Sequence, residues 1–517
     1  MKGRDGPGRG SGVKKAAGLA VVCAGVVVTF PLLILIELIG RYDRFSYGRH
    51  APVIRRFLPW RLTTYLAPLL PLYALVPPYV LGLAHSWPGG GPLRAVVWAA
   101  LAVPALALAE VYSVCLHREA YIAAFEPWSL AAGYAPLGAP PRRFADRRLQ
   151  HLARVQLLHC VPLVLAASTV GPATGLLSCV TLFLFLIKYL APAWIDFEAY
   201  FHWDMHCQVL DLRGRPLLTA FWRALSDWVM GPMIGSLPRL YATEHIVIHH
   251  PENAGPDDIH SPLPYDRSRV LEFCVFGLKT CFILLTSGKV AFHRRCRGSR
   301  KALLVLGVTA FWAVTAYLVV MDRFLGYWLI GTALYRAVNT AKAQYVWHGL
   351  SDPADPRHPK ASTILWLPRE HLVAALDGDP THAQGAEPAT EVPSFGTDWA
   401  FYDNYHLIHH LNPRAHFTEY PELLRRTVPG LLDWGCVVMR LSAYDTFVLD
   451  CWSGNFERVA QSLVTPMDKD LRPAFIREGL APLPGRRSYS AALCEGRVGR
   501  AVDSALVRGL LLVAPPA

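Results

Sequence analysis

Charge is scarce in this chain. Asp, Glu, Lys and Arg make up 17% of its 517 residues, against 53% hydrophobic and 11% aromatic. With a mean hydropathy of +0.26, that shortage excludes an ordinary soluble enzyme, and the long apolar runs have the length of membrane spans. Acidic residues are in particular deficit, 39 against 51 Lys and Arg, which leaves a formal net charge of +12. Nucleic-acid binding is not the reason, because no basic patch is interleaved with exposed stacking aromatics. Lys and Arg cluster beside apolar segments, as they do on the cytoplasmic side of membrane proteins. There is no CxxC pair among the 11 cysteines, which are scattered through apolar segments, so neither a disulfide framework nor a zinc motif is present. Cys207, beside His206, reads as a packed thiol. No internal repeat is found.

Histidine, by contrast, is concentrated in three strings: FHWDMHC with His202 and His206, EHIVIHH with His245, His249 and His250, and YHLIHH with His406, His409 and His410. With 20 histidines in 517 residues, any one three-histidine pattern is expected about 0.03 times by chance. On an α-helix, i and i+4 share a face, so each string aims two imidazoles at one point. His250 and His409 then lie about 100° round the helix from a neighbouring donor, which suits two adjacent metal ions rather than one. Eight nitrogen donors without cysteine exceed the three or four ligands of a zinc site. Imidazole-rich sets suit iron, zinc, copper or nickel, and the number of donors points to two iron ions. A lone buried histidine is ordinarily a satisfied core residue, but that reading does not cover three strings in this order.

In the order HxxxH, HxxxHH, HxxHH, the chain resembles the membrane fatty-acid desaturases and hydroxylases across roughly residues 150 to 425. The resemblance implies a non-haem di-iron centre, O2 as co-substrate, electrons from an external carrier such as cytochrome b5 or ferredoxin, and a lipid or acyl substrate oxidised at an unactivated C–H bond. A fused cytochrome b5 domain would show HPGG; the nearest string, HSWPGG at His85 to Gly90, does not match. His348, in QYVWHGLSDP, stands where such enzymes often place a ninth ligand. The family's pattern there is Asn-xxx-His, whereas four positions beyond Asn339 stands Ala343. The expected reaction is the introduction of a double bond into an acyl chain. Its rival is hydroxylation by the same centre, as in lipid, alkane, sterol or carotenoid hydroxylases. A rival of another class, a metal-binding transporter, would carry ionisable ligands inside its spans, whereas these strings lie outside them. No protein acid, base or nucleophile is expected to act beyond the metal centre.

The hydropathy pattern predicts an all-α integral membrane protein with two transmembrane helical hairpins, a cytoplasmic histidine-rich cap and extra N-terminal hydrophobic helices. An uncleaved anchor is expected at Ala16 to Ile39, with further apolar segments at Tyr65 to Ala84 and Arg94 to Val114, the former broken by prolines. The run from Val155 to Leu190 would be about 54 Å as one helix, far over the roughly 30 Å hydrocarbon core, so it reads as a hairpin turning near Gly171. The second hairpin is Leu303 to Val320 and Phe324 to Asn339, turning at Asp322 and Arg323. Two crossings each bring all three strings to one face. Pro216 to Leu237, with Arg223 and Asp227, and Val270 to Leu285, with Glu272 and Lys279, read as interfacial helices. The 369–398 stretch reads as a loop. Glu244, Asp257, Asp258, Asp403 and Asn404 are candidates to orient the imidazoles. The chain divides into an N-terminal membrane-anchoring region (1–150), a desaturase-like di-iron domain (151–430) and a C-terminal cytoplasmic tail (431–517). The basic N-terminus, without a Ser-rich transit-like stretch, favours the endoplasmic reticulum, with a plastid membrane as the alternative.

Overall fold

The computed structural model describes residues 9–57, 201–350, 362–367, 403–464, 472–482 and 495–513, apart from a few single positions. The segments expected at Tyr65 to Ala84, Arg94 to Val114, Val155 to Leu190 and 369–398 lie outside these residues but for isolated positions.

Among the described residues the chain is almost wholly helical. Helix α1 (Arg9–Phe57) is the longest. Its Val13–Arg41 portion and α4 (Gly298–Val320) are the two helices among the described residues long and apolar enough to cross a membrane. Both leave large apolar side chains uncovered, including Val27 at 73% and Val320 at 82% exposure, a surface expected to face lipid or a partner rather than water.

Between them lies α3 (Val270–Thr286), which packs against α1, α5 (Phe324–His348) and the C-terminal helix α9 (Arg497–Val513). The charges of Glu272 and Lys279 predict an interfacial helix, yet the structure puts α3 at the centre of the bundle. The neighbours absorb those charges: Glu272 is buried, and Lys279 Nζ sits 5.6 Å from the ring centres of both Tyr265 and Phe276, a cation–π arrangement. Close approach of α1 to α3 depends on Gly25, where an added Cβ would lie 2.9 Å from the Cys274 carbonyl oxygen. Thr29 Oγ1 donates to that same carbonyl at 3.2 Å. Glu37 of α1 and Lys342 of α5 form an ion pair across the neighbouring crossing.

Helices α4 and α5 are joined by Met321–Arg323, with Asp322 in the left-handed region (φ 51°). The turn falls where the sequence places it. Helix α5 does not stop near Asn339 but runs to His348, because Ala341 to Gln344 are helix formers with no breaker among them. The segment Pro216–Leu225 (α2) continues through a π-helical turn, Ser226–Met230. It exposes Leu217 and Phe221 while Arg223 ion-pairs with buried Asp204 at 2.7 Å, the two-faced character expected of it.

Two three-residue strands, β1 (Leu365–Leu367) and β2 (Val438–Arg440), pair in parallel with Trp366 opposite Met439. Neither was foreseen, since three residues carry no readable alternation. The residues after 431 fold back onto the body. Arg267, 1% exposed, gathers them: its Nε donates to Gly349 O (2.8 Å), Nη1 to the carbonyls of Leu263 (3.1 Å) and Tyr265 (3.0 Å), and Nη2 to those of Gly479 (2.5 Å) and Ala481 (2.9 Å). Gly479 belongs to α8 (Arg472–Leu480). One guanidinium thus ties that helix to the residue just past His348.

Candidate metal centre

The three strings converge with α5. The first lies on a helix at residues 201–207, the second on a π-helix, Ala242–His249, and the third on α6 (His406–Leu411), entered by a 3-10 turn at Asp403–Tyr405. Their ring nitrogens form two groups, His202, His206, His245 and His409 in one and His249, His348, His406 and His410 in the other, each with its donor atoms within 4.8 Å of one another. His250 stands between, its ring centre 4.5 Å from that of His409 and 4.6 Å from those of His206 and His410. All nine expected histidines are therefore together.

How they are shared differs from the α-helical expectation. The second string divides, His245 to one group and His249 to the other, and His250 Nε2 comes within 3.2 Å of His245 Nε2. The cause is the π-helix, whose i→i+5 bonding brings residue i+5 round over residue i. The third string keeps α-helical spacing: His406 and His410 meet at 3.1 Å between Nε2 atoms. His409, off that face, points to His202 at 3.1 Å.

Burial drives these imidazoles toward the neutral form, and mutual repulsion adds to it. His202, His245, His250, His406, His409 and His410 are held well below the ordinary value, His206 is lowered to about 4 and His348 to about 3. Neutral imidazole is the ligating form.

Three tautomers follow from partners that can only accept. His206 Nδ1 donates to Pro413 O at 2.7 Å, His348 Nδ1 to Ser362 O at 3.1 Å, and His249 Nδ1 to Asp258 Oδ2 at 2.7 Å. In the neutral ring each leaves Nε2 as the lone-pair nitrogen; that of His348 lies 3.3 Å from His406 Nε2. The Nε2 atoms of His206 and His249 are buried and accept no hydrogen bond, an arrangement that costs about 1–3 kcal/mol each unless a Lewis acid takes the lone pair. His409 Nδ1 is held by Tyr420 OH at 2.9 Å. Donors around one ion at about 2.1 Å stand roughly 3–4 Å apart, and with every donor within 4.8 Å of the others each group closes on a metal by a contraction of about an ångström. The residues fit two ions.

Of the candidate orienting groups, Asp258 reaches a cluster histidine directly. Burial works against its charge, but His249 and His260 outweigh it and hold the carboxyl well below the usual range. Glu244 instead pairs with His260 at 2.6 Å, Asp257 with Arg294 at 3.2 Å, and Asn404 donates to Trp366 O at 3.0 Å, pinning the third string to β1. Tyr420 and the carbonyls of Pro413 and Ser362 were not foreseen, since contacts over long loops leave no sequence signal. Gln344 was legible: it sits one turn before His348 on the same face, buried, with Oε1 accepting no hydrogen bond. It occupies the position that the Asn-xxx-His pattern gives to asparagine. Cys207 is a packed thiol, its Sγ 3.2 Å from Ala415 O.

Among the described residues, two helices long and apolar enough to cross a membrane accompany two four-histidine groups that could each hold a metal ion. The fatty acid desaturase family model matches residues 176–442, just over half the chain and every histidine of both groups, and the chain belongs to that family. No curated protein and no solved structure matches it.

Proposed function

We propose that the nine histidines hold two iron ions and that the chain desaturates a lipid acyl chain. The observation that carries the reading is the pair of four-histidine groups, each with its donor atoms within 4.8 Å of one another. When bound there, the irons supply the oxidising chemistry: one acyl –CH2–CH2– unit, O2, two electrons and two protons give –CH=CH– and two waters. The protein's own work is positional. Pro413, Ser362, Asp258 and Tyr420 fix ring orientation through Nδ1, and burial of His249, His348 and His409 to 1% exposure or less keeps bulk water away. No side chain is assigned as acid, base or nucleophile. The electron donor is a separate protein, cytochrome b5 or ferredoxin, and the setting is a membrane of the endoplasmic reticulum with the histidines on the cytoplasmic face. The reading is tested by profiling the lipids of cells expressing the chain. A new unsaturated acyl species, lost in His249→Ala, supports it; a hydroxylated product instead overturns desaturation in favour of hydroxylation.

A further inference from the structure

Glu244 precedes the second string, and His260 lies beyond it in the loop that follows. Both are buried, at 5% and 1% exposure, and His260 Nε2 is 2.6 Å from Glu244 Oε2. Neither touches a histidine of the two groups directly. Asp258 does, and its other contacts come from the same loop: Oδ1 accepts from His260 N at 2.9 Å, and Oδ2 accepts from Ala254 N at 2.8 Å as well as from His249 Nδ1 at 2.7 Å. The contacts close a ring from Glu244 through His260 and Asp258 to His249, five residues further along Glu244's own helix. Loops of this composition are ordinarily the least fixed parts of a fold. Here two side chains of the loop, Asp258 and His260, reach back to the helix and hold the loop against it.

We infer that Glu244 and His260 form a positioning pair that sets how His249 presents Nε2, and so governs the ion held by His249, His348, His406 and His410 and not the other. This rests on the two-ion reading above. Neither residue is catalytic; they act through Asp258. The geometry supports it: both side chains are buried and 2.6 Å apart, and the His260 backbone N–H donates to Asp258 Oδ1 at 2.9 Å, so loss of either partner frees the segment that carries Asp258 to shift against His249.

The test is Co(II) titration of the full-length protein in detergent, read by visible absorption and by metal content, on wild type, Glu244→Ala, Asp258→Asn and their double variant. Wild type binds two ions. Glu244→Ala weakens one of them about 10–100-fold, the scale for groups that orient a ligand, and leaves the second unchanged. The double variant is no weaker than Asp258→Asn alone, because both changes act on one path. His260→Gln is read in the same way should Glu244→Ala not fold. Wild-type affinity at both ions, equal weakening of both, or losses that add between Glu244→Ala and Asp258→Asn would each overturn the pair's role. A wild-type protein that binds no metal would sink the metal reading itself, a different and recognisable outcome.

Discussion

Replacing Arg267 by Met tests whether the C-terminal segment is part of the metal-bearing body. The guanidinium is fully buried and makes five hydrogen bonds of 2.5–3.1 Å to carbonyls of three separate stretches: the loop after the second string, Gly349, and 479–481. Burial pulls its pKa down to about 10, so it remains charged at neutral pH. Each charge-assisted bond is worth about 1.5–3 kcal/mol, but the sum overshoots, because removing the guanidinium also removes its own desolvation cost. The net loss comes from the buried carbonyls left without a donor, about 1–3 kcal/mol for each that water does not reach. Arg267→Lys keeps the charge but has three donors in no fixed fork, so it recovers only part of that loss. Thermal unfolding of the metal-free protein in detergent reads the loss. Metal content reads its reach, since Gly349 follows His348 directly. An Arg267→Met protein within about 1 kcal/mol of wild type, the range of an ordinary surface change, would refute the reasoning.

Acid should weaken the fold through the clustered histidines. Above pH 6.5 both folded and unfolded states are neutral at these positions; below it the unfolded chain takes up protons that the folded one refuses, until each folded pKa is passed, about 4 for His206 and about 3 for His348. Each such histidine removes up to about 1.4 kcal/mol per pH unit in that window. Metal-free stability measured at pH 7.5, 6 and 5 should therefore fall steeply, and a flat profile would contradict it. His348→Ala should cost one of two ions while leaving the other, as metal analysis would show; retention of both would remove His348 from the ligand set. Tyr420→Phe, which removes the hydroxyl 2.9 Å from His409 Nδ1, should weaken metal at the other group about tenfold, and unchanged affinity would show that Tyr420 plays no orienting part.

The histidine strings, the α4–α5 turn and the two-faced α2 were legible because each depends on local spacing or on residue types that break a helix. His348 was legible through the family resemblance and the donor count, with no string of its own to mark it. What escaped was set by contacts distant in sequence. The i, i+4 rule assigned His245 and His249 to one ion, but the helix there is π-wound, a choice made by packing that no spacing announces. Glu272 and Lys279 made α3 look interfacial because the helices that pack on it, α1, α5 and α9, come from elsewhere in the chain. Arg267 carries no mark of its role in the sequence, since nothing local reveals carbonyls more than 200 residues away.

The central claim is that two ions sit in two histidine groups and that these ions are iron. Metal analysis of the protein purified in detergent, beside a His249→Ala, His409→Ala double variant that removes one donor from each group, tests it most directly. The account predicts near two irons per chain in the wild type and a large loss from both positions in the variant. Zinc, a single ion, or iron that survives both substitutions would contradict it.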